Sequence, residues 1–315
     1  MEKYELDIAK FDKDTYNKVK ALRITNDRIF KNIFGKKKNR KALIYTVNTV
    51  LEDDGFSPVV SLQLDKSDFP GAIPKEKSSV LDLVAQDETG AIFNIEMQSY
   101  HEKAFEYRSV LYGTKLYSHQ LETNEVSELL RPVICINFVD FDLFKGETEF
   151  HSCFVFTEVK RKYLTLPNGI RTHFIEIPKA IGKTGKLAEL VLLFKEIKAD
   201  LSDQILNKIN ENPIYEVIYG GFMHSIQTKS ALYAALSREK FIMSMHGQLE
   251  YIKDELREKG KEEGREEGRA EGRVEGFIEG QKEQAKKIAD ILKAQGDSIE
   301  KIMQATGLSA DEINE

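Results

Sequence analysis

The chain has 315 residues, of which 41% are hydrophobic and 31% charged, and its formal net charge is −6. That length supports one large core or two smaller ones, and the composition excludes collagen-like, mucin-like and wholly disordered chains. No apolar run reaches the ~18–20 residues of a membrane span, and Met1 to Lys10 alternates charges with single apolar residues where a signal peptide would carry an apolar core. The two cysteines, Cys135 and Cys153, can form one bridge at most, so a reducing, cytoplasmic location with no membrane partner is expected. The acid surplus is unevenly placed. Residues 23–41 hold eight bases (Arg23, Arg28, Lys31, Lys36, Lys37, Lys38, Arg40 and Lys41) against the single acid Asp27, whereas residues 250–283 hold twelve acids against eight bases. The front of the chain can therefore present a positive face although the total charge disfavours nucleic acid.

Residues 14–54 predict helices. Thr25-Asn26-Asp27 offers cap types before Ile29, Phe30, Ile33 and Phe34, Gly35 is a stop, and Leu43, Ile44, Val47, Val50 and Leu51 follow at helical spacing. Residues 56–100 predict strands, with Val80 to Ala85 and Ala91 to Gln98 joined by the turn Asp87-Glu88-Thr89-Gly90 into a β-hairpin. Residues 102–130 are helical again, and the aromatics Tyr100, Phe105, Tyr107, Tyr112 and Tyr117 are assigned mainly to core packing. The apolar stretch 132–142 is a strand, as are His151 to Glu158 and Thr172 to Ile177, and residues 185–258 are mainly helical. This order indicates an α/β domain with helices flanking one sheet.

From Gly260 to Gly280 glycine recurs every fourth residue beside columns of Lys/Arg and Glu. Each column climbs a helix with a drift of ~40° per step. The segment reads as a solvated charged helix or spacer, or as a close-approach stripe for a homo-oligomer. Residues 284–315 predict short helices, with Ile288, Ile291 and Leu292 on one face and Ser309 with Glu312 as a capping box. Their four lysines against six acids argue against a DNA-reading helix-turn-helix. The expected organisation is a domain over 1–255, a charged helix or linker over 256–283 and a small helical module over 284–315. The six histidines are scattered without H-x-x-x-H spacing or a Cys pair, so no zinc site is expected. Phosphate-loop and nucleophile-elbow motifs are absent.

The hairpin carries the chemistry. Asp82 interrupts Leu81-Asp82-Leu83-Val84, and Glu96 interrupts Phe93-Asn94-Ile95-Glu96-Met97-Gln98. Counting back from the turn places Asp82 opposite Ile95, or opposite Glu96 if one residue bulges. Gln98 shares the strand face of Glu96. Two carboxylates among apolar neighbours either face solvent, pair with Lys or Arg, or hold a cation. An all-oxygen site suits Mg²⁺, with Mn²⁺ as an alternative, and such an ion polarises a phosphodiester and activates water. The bases Lys31, Lys36, Lys37, Lys38, Arg40 and Lys41 are candidates for tracking nucleic-acid phosphates, or else form a solvated turn.

Asp82 and Glu96 with Gln98 resemble the PD-(D/E)XK nuclease signature. Asn26-Asp27-Arg28-Ile29-Phe30-Lys31-Asn32-Ile33-Phe34-Gly35, Ile95-Glu96-Met97-Gln98, the stretch Arg108 to Gln120, and Glu176-Ile177-Pro178-Lys179 are similar to motifs of the Rpn family of recombination-promoting nucleases, also labelled PD-(D/E)XK transposases. The resemblance covers roughly residues 20–245. It implies a restriction-endonuclease-like α/β core with a mixed central sheet flanked by helices, here with a C-terminal helical extension. It also implies a metal-dependent DNA endonuclease linked to recombination or foreign-DNA defence. Asp82 and Glu96 then become metal ligands and Gln98 the residue that orients water. Asp27 becomes a third acid near the metal, or simply an acid favoured by the start of its helix. Gln98 stands where the superfamily usually has Lys, and Leu81 where it has Pro. The other reading is therefore a weak or inactive nuclease fold that binds nucleic acid or a protein.

Overall fold

The computed structural model describes residues 12–65, 68–69, 79–80, 82–102, 105–121, 126–165 and 169–314. Met1 to Lys10 and Leu81, named above, lie outside them. The chain forms two compact units, Met1–Met243 and Ser244–Glu315.

The first unit opens with three helices, α1 (Lys13–Ala21), α2 (Asp27–Phe34) and α3 (Arg40–Asp53). The start of α2 is set by Asn26, whose side-chain oxygen accepts from the Arg28 and Ile29 N–H groups, two donors that the first turn leaves unpaired. The strands are β1 (Leu62–Leu64), β2 (Asp68–Phe69), β3 (Ser79–Val80), β4 (Leu83–Asp87), β5 (Ile92–Gln98), β6 (Val133–Val139), β7 (His151–Val155) and β8 (Ile170–Glu176). β2 and β3 pair with each other, and the other six form one sheet in the order β1-β4-β5-β6-β8-β7. The sheet is mixed: β5, β6 and β8 run parallel, and the remaining pairings are antiparallel. The helix α4 (Phe105–Ser118) provides the crossover that parallel β5 and β6 require.

Alternation along the strands sorts side chains to two faces. Phe93, Ile95 and Met97 of β5 join Ile136 and Phe138 of β6 in the main core, together with Phe30 and Phe34 of α2, Leu43 and Val47 of α3, and the helices α5 (Lys186–Glu196) and α7 (Pro213–Gln227). On the other face Val84, Val133 and Cys135 pack with Leu116 of α4. β6, covered on both sides, is buried at all seven positions, which explains its uninterrupted apolar sequence. Gly113 permits the close approach of α4: a Cβ there would come within 2.9 Å of Ile170 Cγ2 and 3.1 Å of Cys135 Sγ. The aromatics near α4 divide. Phe105 is buried, whereas Tyr107 is solvent-exposed.

In Glu176-Ile177-Pro178-Lys179 the acid is structural. Glu176 is fully buried, and its Oε1 accepts from the N–H groups of Leu143 and Phe144 at 2.6 and 3.0 Å and pairs with Lys179 Nζ at 2.8 Å. It pins the loop that leaves β6.

After α6 (Asp203–Glu211) and α7 comes α8 (Lys229–Ala294), which spans the boundary between the units. The glycines from Gly260 to Gly280 lie on this helix, and a Cβ built at any of them would meet nothing within 4 Å. In the second unit Ala289, Ile302, Leu308 and Ile313 form a small core with Ala285 and Leu292, drawing on α9 (Ile299–Thr306) and α10 (Ala310–Asn314). Ile288 and Ile291, expected on the packed face, are exposed. The inward stripe follows Ala285, Ala289 and Leu292 at i, i+4, i+7, so small side chains decide the phase. The expected capping box is present: Ser309 N donates to Glu312 Oε2 at 3.1 Å and Glu312 N to Ser309 Oγ at 3.3 Å.

Replacing Glu176 with Ala leaves two loop N–H groups without an acceptor and the half-buried Lys179 ammonium with the Phe144 carbonyl but no counter-charge. The expected loss is about 3–5 kcal/mol in urea denaturation, while an exposed-site control such as Glu263→Ala changes stability by less than about 0.5 kcal/mol.

Candidate active site

The turn fixes the meeting of the two carboxylates. Asp87 Oδ1 accepts from Thr89 N, Thr89 Oγ1 and Ala91 N, and Gly90 takes φ +91°. The loop thereby takes in one residue more than the simple count. Gln86 pairs with Ile92 and Leu83 with Ile95, a register that sets Asp82 level with Glu96. Of the two expected placements, the shifted one is observed. Asp82 is held there by Met97 N–H, which donates to its Oδ2 at 3.2 Å.

Glu96 and Gln98 are nearly inaccessible to solvent. Burial pushes Glu96 up to about 8, and the neighbouring Asp82 charge adds to the shift. Asp82 is raised to about 6, first by burial and then by the charge of Asp27, with the Met97 N–H acting in the opposite sense. Asp27 is the first residue of α2, so it is both a helix-start acid and a member of the acidic group. Its Oδ1 is buried with no hydrogen-bond partner. Its Oδ2 lies 2.7 Å from Arg238 Nε, as an ion pair and not as an aligned hydrogen bond. The Lys31 charge, one turn further along α2, also reaches Asp82.

Two arginines complete the site, and neither is marked for this role by its sequence surroundings. Arg108 of α4 places Nη2 3.9 Å from Glu96 Oε2, donates from the same nitrogen to Gln98 Oε1 at 3.3 Å, and pairs through Nη1 with Glu102. Its guanidinium also lies against the rings of Phe105 and Tyr112. In the sequence Arg108 stands only as the start of a helix motif, although an Arg on the first turns after an acidic hairpin is a readable signal. Arg238 comes from α8 and covers the Tyr100 ring at 5.3 Å. α8 is brought there by Asn26, which donates to Glu239 Oε1 at 2.8 Å and to the Ala235 carbonyl at 3.3 Å. No local pattern links Arg238 to the hairpin.

Gln98 is less free than a water-orienting residue on an open strand. Its Nε2 donates to the Tyr100 carbonyl at 3.2 Å while Arg108 holds its Oε1. One N–H and one lone pair of the amide remain. The other candidate bases lie past the C-terminal end of α2, away from Asp27. Lys37 and Lys38 are exposed on a single 3-10 turn, Lys41 is exposed at the start of α3, and Lys36 and Arg40 are partly covered. Burial and the charges of Lys36 and Lys38 hold nearby His224 below its usual range.

The site thus gathers Asp27, Asp82, Glu96 and Glu102 against Lys31, Arg108 and Arg238. The orphaned Asp27 oxygen and the mutually repelling pair Asp82 and Glu96 supply only oxygen donors and are short of positive charge, the donor chemistry that a hard divalent ion takes. A family model described as PD-(D/E)XK nuclease family transposase matches residues 24–267. The chain belongs to this family. Membership agrees with the mixed sheet flanked by helices. No curated relative and no solved structure matches the chain significantly.

For Glu96 the folded-state value lies above the unfolded one of about 4.5. The associated stability is therefore present below pH 4.5 and is lost as pH rises toward 8. Glu96→Gln removes that loss. In EDTA the variant should melt above the wild type at pH 8 and near it at pH 5, and added Mg²⁺ should raise only the wild type at pH 8. Equal differences at both pH values would contradict the assignment.

Proposed function

We propose that this protein is a divalent-metal-dependent endonuclease that hydrolyses phosphodiester bonds in DNA and serves recombination or foreign-DNA defence. The observation that carries this reading is the meeting of half-buried Asp82 and buried Glu96 across the hairpin, with the charge of Asp27 reaching Asp82 and one Asp27 oxygen unpartnered. These residues would hold Mg²⁺, or Mn²⁺. When bound, such an ion polarises the phosphate and lowers the pKa of a water.

The chain's own groups supply the rest. Gln98, locked by Arg108 and the Tyr100 carbonyl, offers its remaining N–H and lone pair to fix a water's orientation. Gln brings no charge, but Arg108 brings a guanidinium beside both Gln98 and Glu96. In this reading Arg108 carries the positive charge that the superfamily usually places on Lys, and it offsets charge as it develops on the phosphorane. Arg238 and Lys31 steady Asp27 and Asp82. The exposed Lys37, Lys38 and Lys41 track the backbone of the nucleic acid beyond the cleaved bond.

Plasmid nicking with Mg²⁺ or Mn²⁺ tests the reading. Asp82→Ala and Glu96→Ala should reduce cleavage to the level of an EDTA control. Arg108→Ala should lower kcat by about 10²–10³-fold, with partial recovery in Arg108→Lys. Cleavage that survives loss of both carboxylates would place the activity elsewhere. Wild-type protein that binds duplex DNA without cutting it would favour the binding-module reading.

The lysines have a separate signature. Replacing Lys37, Lys38 and Lys41 together should weaken DNA binding at every sequence and reduce the slope of log affinity against log salt by about 0.9 for each phosphate no longer neutralised. Turnover at saturating DNA should stay unchanged. An unaltered salt slope would remove these residues from the interface.

A further inference from the structure

A second cluster of metal-ligating side chains lies on the opposite face of the sheet. Ile95, Ile136 and His173 share one rung across β5, β6 and β8, so His173 points to the main-core face while Glu96 points to the α4 face. β7 is the edge strand, and its antiparallel register puts Cys153 directly opposite His173 and His151 two residues away on the same face. α3 ends beside them at Asp53 and Asp54, and Gly55 (φ +74°) turns the chain away.

Three atoms converge. His151 Nε2 and His173 Nδ1 are 3.0 Å apart, and Asp54 Oδ2 lies 3.2 Å from the first and 3.1 Å from the second. A tetrahedral ion at about 2.0–2.1 Å from its ligands separates them by roughly 3.2–3.4 Å. The triangle is therefore close to one face of such a polyhedron. The opposite ring nitrogens are also engaged. His151 Nδ1 lies 2.7 Å from Asp53 Oδ2, so it donates its proton there and leaves the Nε2 lone pair facing inward. His173 Nε2 faces Cys153 Sγ at 3.7 Å, so Nδ1 is the nitrogen that faces Asp54 and His151. Burial favours neutral His173. Two ring nitrogens and a carboxylate oxygen thus converge, with a cation or shared protons between them. A carboxylate holding the outer nitrogen of an inward-facing histidine is the usual support of a metal-bound imidazole.

We propose that Asp54, His151 and His173 bind a borderline divalent transition-metal ion such as Zn²⁺, separate from the Asp82 and Glu96 site. Two imidazoles with a carboxylate, beside a thiol, select this class over Mg²⁺. Cys153 Sγ or a water completes the coordination. Both imidazoles are inaccessible to solvent, and the Phe56 ring stands edge-on to His173 at 6.0 Å with the Arg171 guanidinium 3.6 Å over its other side. With both imidazoles enclosed and the Asp54 side open to solvent, the ion is structural: it ties edge strand β7 and strand β8 to the end of α3.

The test uses the full chain carrying Asp82→Ala and Glu96→Ala, so that ions at the hairpin do not contribute. Zn²⁺ is added, excess is removed by desalting, and bound zinc is measured by mass spectrometry. The expected result is one ion per chain, with a tetrahedral visible spectrum when Co²⁺ replaces it. His151→Gln and His173→Ala should bring bound zinc to background, and Asp53→Asn should weaken binding about 10–100-fold. His173→Ala leaves a buried gap, so His151→Gln, shown folded by circular dichroism, is the deciding variant. Zinc retained equally by His151→Gln overturns the proposal. So does a parent that keeps no zinc, in which case Asp53, Asp54, His151 and His173 are held by hydrogen bonds alone.

Discussion

Two carboxyl groups on neighbouring strands, level with each other and shielded from water, are the constraint around which the first unit is arranged. Each raises the cost of ionising the other, and burial raises both further. A protein core tolerates such a pair only when protons, cationic side chains or a bound cation offset it. All three are provided for here. Glu96 stands ready to hold a proton, Arg108 approaches within 3.9 Å, and the oxygen-only surroundings, including an unpartnered Asp27 oxygen, suit a hard ion. The arginine alone does not close the balance, because it is shared among Glu96, Gln98 and Glu102.

The fold brings these groups together from separate elements. The hairpin contributes Asp82 and Glu96, the first turn of α2 contributes Asp27, α4 contributes Arg108, and α8 contributes Arg238. Rigid packing holds them in place: Asn26 at once caps α2 and anchors α8, and Gly113 lets α4 settle closely on the sheet. The sheet also separates two chemistries. Glu96 and Gln98 lie on the α4 face, whereas the imidazole-rich cluster around His173 lies on the main-core face.

The hairpin was legible because a charged residue inside an apolar strand is a local anomaly, and two of them flanking a turn constrain each other. Its register was not, since the difference between Ile95 and Glu96 as partner of Asp82 rests on how the Asp87 side chain closes the turn. Helix limits and strand positions followed periodicity well through α2, α3, β5 and β6. Asp27 opens α2, as expected of a helix-start acid, and its charge reaches Asp82. Arg238 and the Asp54, His151 and His173 cluster were not legible, because tertiary packing alone unites residues so distant in the chain. The histidine spacing gave no metal pattern, yet strand pairing sets His151 and His173 side by side. Ile288 and Ile291 show the reverse failure: apolar residues at helical spacing that the small module leaves outside.

The most direct measurement is anomalous diffraction from crystals of the wild-type chain soaked in Mn²⁺ near pH 7.5. The expected result is a peak bonded to carboxylate oxygens of both Asp82 and Glu96, with Arg108 still engaged to Gln98. A hairpin without Mn²⁺, in which the Arg108 guanidinium has closed onto Glu96 as its sole counter-charge, would contradict a metal-holding role for the two carboxylates.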